Sequence, residues 1–193
     1  MHRWHHFPAV LALTFILASC GSSATTAPTA APVASDTSPA AIAAPATALP
    51  GDPPVTCPIS KMADGAYSPP PPFDPHGPDA AEFWFGSASL WTLLPTDGVW
   101  RQLPLDASGY TQKTFWWREG YDWQAEPLPK LTVTGKRLDA PAAALSASAA
   151  TNGNEARLQS FMLVGVQFPT SGCWQVTGHY GGSDLTYVVW VAP

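Results

Sequence analysis

Near its C-terminus the chain reads CWQVTGHY (173–180), in which Trp174, Val176, Gly178 and Tyr180 alternate with Cys173, Gln175, Thr177 and His179. Successive side chains of a strand point to opposite faces, so this spacing predicts that the first set faces a core and the second faces outward. From residue 82 onward, short runs rich in aromatic and β-branched residues recur, bounded by Gly, Pro, Asp and Asn. They predict strands near 82–85, 90–94, 99–103, 113–117, 131–138, 161–168, 173–180 and 185–191, the pattern of an all-β antiparallel sandwich. LPTDGVW (94–100) and HYGGSDL (179–185) carry the Pro, Asp and Gly residues of tight turns, each expected to join an antiparallel pair. The segment 139–160 shows no apolar stripe of helical period, and it reads as a long loop with a short strand near 143–145.

Upstream the pattern is different. Residues 7–18 form an apolar stretch, uncharged throughout, behind MHRWHH, which carries Arg3. About 12 apolar residues suit a signal-peptide core and fall short of the ~20 needed to cross a bilayer as a helix. Residues 21–54 are almost wholly Ala, Pro, Thr, Ser and Gly, with only Asp36 and Asp52 charged. Such a stretch buries no core, and at ~3.1 Å per residue in polyproline II it reaches about 100 Å. The expected organisation is a signal peptide (1–19), a disordered tether (20–54) and one folded domain (55–193).

Leu17-Ala18-Ser19-Cys20, at the end of the apolar run, resembles the lipobox of bacterial lipoproteins. The resemblance implies that Cys20 is alkylated with diacylglycerol and becomes the first residue of the mature chain. Several acyl chains on one residue hold a protein on a membrane far better than one, at ~0.8 kcal/mol per buried CH₂. Gly21 stands where an Asp would mark inner-membrane retention in diderm bacteria, which implies the outer membrane in such an organism. An ordinary signal peptide followed by a chance cysteine is the alternative.

Pro169-x-x-Gly172 followed by Trp174-x-Val176 resembles the end of bacterial immunoglobulin-like domains. FWWREGYD, LTVTGKRLD and FPTSGCWQVTG together resemble a largely uncharacterised family of small secreted bacterial proteins. The resemblance spans most of 82–193 and implies an immunoglobulin-like β-sandwich. It assigns no catalytic residue.

With Cys20 lipidated, Cys57 and Cys173 remain as an even pair in an oxidising compartment, and a disulfide between them is expected. No CxxC spacing is present, and beyond the signal peptide the histidines are His76 and His179 alone, so no metal site and no cofactor is expected. The formal net charge of −5 and scattered Lys and Arg residues argue against nucleic acid as a partner. Asp74 and Asp79 flank His76 and have the oxygens a Ca²⁺ ion takes, but two carboxylates without further donors are a weak signal, and they read equally well as turn residues.

No nucleophile elbow, zinc-protease motif, Walker loop or dinucleotide fingerprint occurs. The most suggestive stretch is TFWWREGYDWQAEP (114–127). In a strand Trp116 and Trp117 point to opposite faces, so at most one belongs to the core, and the other is exposed or covered by a loop. Trp116 or Trp117 with Glu119, Asp122 and Trp123 form the candidate ligand-binding set. Packing of these aromatics into a small core is the competing and preferred reading. The function expected is a membrane-anchored extracytoplasmic lipoprotein displaying a non-catalytic domain toward a cell-surface protein or polysaccharide. The alternatives are a carbohydrate-binding module and, less favoured, an envelope hydrolase.

Overall fold

A computed structural model of the chain describes residues 51–71, 78–156 and 158–193. Residues 1–50, with the expected signal peptide, Cys20 and most of the expected tether, and residues 72–77, with Asp74 and His76, lie outside the described residues. A single-turn helix α1 (Met62–Gly65) precedes β1 (Glu82–Ser87), β2 (Leu90–Pro95), β3 (Val99–Trp100), β4 (Leu105–Asp106) and β5 (Gly109–Trp117). There follow β6 (Thr132–Arg137), β7 (Ser146–Ala147), β8 (Thr151–Glu155), β9 (Gln159–Phe168), β10 (Gly172–Tyr180) and β11 (Ser183–Val191).

One sheet runs β1-β2-β5-β9, with β7 and β8 both pairing β9 and β4 pairing β5. The other runs β3-β11-β10-β6. Every pairing is antiparallel except β3 with β11. Strands β2, β5, β9 and β8 occupy the places of A, B, E and D in an immunoglobulin-like sandwich, and β6, β10 and β11 those of C, F and G. The β1–β2 hairpin adds an edge strand.

The core between the sheets follows the alternation. Met162, Val164, Val166 and Phe168 of β9 are buried, as are Trp174, Val176, Gly178 and Tyr180 of β10. Their partners across the core include Trp100, Trp116, Tyr187 and Val189. The β10–β11 hairpin turns at Gly181-Gly182, with φ of +59° and +81°, as the Gly-Gly pair requires.

Several expectations are corrected. The turn at Pro95–Gly98 exists, with the Gly98 N–H donating to the Pro95 carbonyl at 2.9 Å, but it does not join an antiparallel pair. It carries the chain from one sheet to the other, where Val99 and Trp100 pair parallel to β11. Strand β3 ends after two residues, with Gln102 at φ +54° close behind it. The 139–160 loop contains β7 and β8, whose Ser, Ala, Thr and Asn residues lack the apolar alternation that marks a strand. The packed chain also begins before residue 55: the Trp190 indole N–H donates to the Gly51 carbonyl at 2.9 Å, and Arg101 lies 3.7 Å from Asp52.

Residues 57–60 strap the outer face of the second sheet. Cys57 is disulfide-bonded to Cys173, with Cα atoms 5.7 Å apart, and Ser60 exchanges bonds of 2.9 Å with the Val188 backbone. This strap buries Cys173, which alternation alone places outward. The chain then reaches the edge of the first sheet, where the Tyr67 N–H donates to the Trp84 carbonyl at 2.9 Å.

Candidate functional site

Trp116 and Trp117 do point to opposite faces of β5, and both are 0% exposed. Trp116 enters the inter-sheet core, its indole N–H donating at 2.9 Å to Thr114 Oγ1, which itself donates to the Val164 carbonyl. Trp117 enters a second apolar cluster on the outer face of the first sheet, edge-on to Trp84 at 4.7 Å and beside Trp91 and Leu158. Its N–H donates to the Leu158 carbonyl at 2.9 Å. Tyr67, Leu93, Phe115 and Phe161 close over that cluster. Neither indole offers a face on which a sugar ring stacks, so this part of the candidate ligand-binding set is corrected to core packing. The physical reason is a second layer of apolar cover supplied by residues far away in sequence.

The rest of the set lies where β5 runs into the long connection to β6. Glu119 and Asp122 are exposed, and Trp123 is half-buried against the main core, its carbonyl accepting from Asn152 Nδ2. The fold adds residues that the sequence reading did not single out. The Tyr180 hydroxyl donates to Glu126 Oε2, and the Tyr121 hydroxyl donates to the Glu126 carbonyl at 3.2 Å. The two rings meet edge-on at 6.3 Å. Arg118 lies over the Tyr180 ring, 5.8 Å from its centroid, a cation–π arrangement. Its Nη1 lies so near Gly181 that a Cβ there would sit 3.3 Å away.

This end of the sandwich is internally braced. Asp122 Oδ1 accepts from the Gln124 N–H at 2.9 Å, Glu126 Oε1 accepts from the Lys130 N–H at 3.2 Å, and the Glu119 N–H reaches the Ala88 carbonyl at 2.9 Å. Burial, with the Glu126 and Asp122 carboxylates beside it, pushes the Tyr121 phenol up to about 12. Burial and the bond to Glu126 push Tyr180 further in the same direction, so both phenols are neutral donors at ordinary pH. Two clefts open beside Arg118: one of about 330 Å³ lined by Ser89, Glu119, Gly181 and Ser183, and one of about 180 Å³ lined by Tyr121, Asp122 and Glu126. The arrangement offers a fixed cation, two exposed carboxylates and backbone groups on a rigid frame. It is suited to recognition by hydrogen bonds and charge.

His179, the described histidine that a hydrolytic triad would need, pairs through Nδ1 with Asp184 on the outer face of the second sheet. Its other cross-strand neighbour is Thr132. The side chains of the pair are 57% and 66% exposed, which leaves them in water on a strand surface. Among the described residues no group of three His, Cys, Asp or Glu is placed to hold a metal ion, and no helix is long and apolar enough to cross a membrane. Comparison with protein-family models, curated proteins and solved structures returned no match to this chain.

Proposed function

We propose that this chain is an extracytoplasmic lipoprotein, anchored through a lipid on Cys20 and belonging to the secreted bacterial family that 82–193 resembles. Its immunoglobulin-like domain binds a partner non-catalytically through the end bearing the β5–β6 connection and the β10–β11 turn. The lipobox supports the anchor, and residues 21–54 supply the tether. The observation that carries the binding role is Arg118, held over Tyr180 between two clefts and flanked by Glu119 and Asp122. Loops at one end of a sandwich are where variable immunoglobulin domains place their binding residues, an analogy of fold that agrees with the local chemistry.

Two experiments on the full chain test the reading. Expressed in a bacterium, the wild-type chain incorporates labelled palmitate and stays with membranes through a high-salt wash, whereas Cys20→Ser takes up no label and is released by the wash; unlabelled wild-type chain overturns the anchor. The Cys20→Ser chain co-sediments with purified envelopes, and adding Arg118→Ala with Glu119→Ala abolishes this without lowering the melting temperature. Undiminished sedimentation would remove the loop end from the function.

A further inference from the structure

Strand interiors disfavour glycine, and where one occurs it marks a bulge, a bend or the close approach of another group. At three of the strand glycines the close neighbour is plain: an added Cβ would lie 2.4 Å from Trp116 at Gly178, 2.4 Å from Phe161 at Gly153 and 2.3 Å from Leu145 at Gly135. Gly165 differs. It lies within β9 opposite Lys113 of β5, and a Cβ there would meet Ser148 Oγ at an ordinary 3.5 Å. Neither packing nor backbone angle requires glycine at this position. What its missing side chain leaves open is a cleft of about 600 Å³ on the outer face of the first sheet, between Pro104 on one side and Ser146 to Ser148 on the other. That volume falls within the ~300–1,000 Å³ typical of ligand sites.

The lining has a definite chemistry. Thr111 Oγ1 already donates to the Pro104 carbonyl at 3.3 Å, and Ser148 Oγ donates to the Ala149 carbonyl at 3.1 Å and accepts from the Gly165 N–H at 3.0 Å, which leaves acceptor capacity on Thr111 and one lone pair on Ser148 for O–H donors. Lys113 supplies N–H donors that ask for acceptors, and Gln167 Nε2, which donates to Asp106 Oδ1 at 3.3 Å, keeps its second N–H for another. Among the described lining residues Lys113 alone is charged, and no aromatic ring lines the cleft. A sugar chain supplies hydroxyls that donate and accept at once, and a lone ammonium selects for a carboxylate on it.

We propose that this cleft is a second binding site, distinct from the Arg118 end, for a short acidic glycan: a polyhydroxylated chain laid over Gly165 with a carboxylate against Lys113.

The test is calorimetric titration of the full chain with oligogalacturonate, with uncharged malto-oligosaccharide of equal length and with oligoglutamate. The expected result is saturable binding of the oligogalacturonate, at least tenfold tighter than either of the others. Gly165→Tyr, whose ring would fill the cleft, abolishes that binding, and Lys113→Gln weakens it about tenfold while erasing the preference over the uncharged chain. Should Gly165→Tyr fail to fold, Ser146→Trp blocks the same cleft from an exposed strand. Absence of oligogalacturonate binding, binding unchanged by the blocking variants, or equal or tighter binding of malto-oligosaccharide or oligoglutamate would each overturn the proposal. None of these outcomes bears on the Arg118 end, since the variants leave it intact.

Discussion

The Trp116 ring occupies the space that a side chain at residue 178 would fill: a Cβ on Gly178 would lie 2.4 Å from its six-membered ring. These two residues, on β5 and β10 of opposite sheets, set the distance at which the sheets meet. Gly178→Ala should therefore cost about 1–3 kcal/mol through overpacking. The midpoint of urea unfolding reads this, and a midpoint at or above that of the wild type would show that the sheets separate freely.

The Cys57–Cys173 bridge closes a loop across 116 positions. In the chain-entropy view such a loop contributes close to 5 kcal/mol as an upper figure, and about 2–4 kcal/mol is typical. The Cys57→Ser, Cys173→Ser double variant should lose an amount in this range, measured by denaturant unfolding against the oxidised chain. Equal midpoints would mean that the strap holds without its covalent link.

Tyr187 is fully buried among aromatic rings, and its hydroxyl has no hydrogen-bond partner among the described residues. Removing an unpaired buried polar group lifts a desolvation penalty, which for a hydroxyl is ~1–3 kcal/mol. Tyr187→Phe should thus be neutral or stabilising where most core substitutions destabilise. A loss above about 1 kcal/mol in thermal unfolding would contradict the reading.

Alkaline titration tests the bracing of the loop end. The Tyr121 and Tyr180 phenols are both raised above the ordinary 10.0 in the folded chain, Tyr121 to about 12. The folded state holds its phenolic protons to higher pH than the unfolded state, so their contribution is full below pH 10 and is lost as pH climbs from 10 through the folded values. Stability should be flat in pH just below 10 and fall above it, with a shallower fall in Tyr180→Phe. An identical slope in the variant would remove Tyr180 from the brace.

Acid has the opposite sign at a different place. Asp139 accepts from Arg137 Nε at 2.7 Å and from the Cys173 N–H at 3.1 Å, and these partners hold its carboxyl below the usual 3.8. Its contribution is present above pH 3.8 and is lost as pH falls through the lower folded value. Asp139→Asn should be less stable than the wild type at pH 6 and close to it at pH 2, as read by unfolding at the two pH values.

What the sequence reveals of this fold depends on how local the evidence is. β9 from Met162 and β10 from Trp174 bury alternate residues, so their faces are written in the order of the side chains. β4, β7 and β8 are short and carry small polar residues, so nothing in their own sequence distinguishes them from loop. Trp117 is harder still: its burial depends on Tyr67 and Leu158, 50 and 41 positions away. The loop end was half legible, with Glu119 and Asp122 visible beside the aromatics. Tyr180 and Glu126 are 54 residues apart, and only the return of β10 brings them together. The cleft over Gly165 left one trace, a glycine inside the apolar run 161–166.

The strap across the second sheet determines how the domain responds to pulling. Tension applied at Gly51 straightens only residues 51–56, about 20 Å of chain at 3.3–3.6 Å per residue, before it reaches Cys57. There it passes through the sulfur bridge into β10, which lies between β11 and β6. If the load leaves by a ligand gripped beside Tyr180, it travels along eight residues of one strand, from Cys173 to Tyr180. The bridge gives load at Cys57 a direct route into the centre of the second sheet, in parallel with the main chain that leads through β1 and β2 to Arg118.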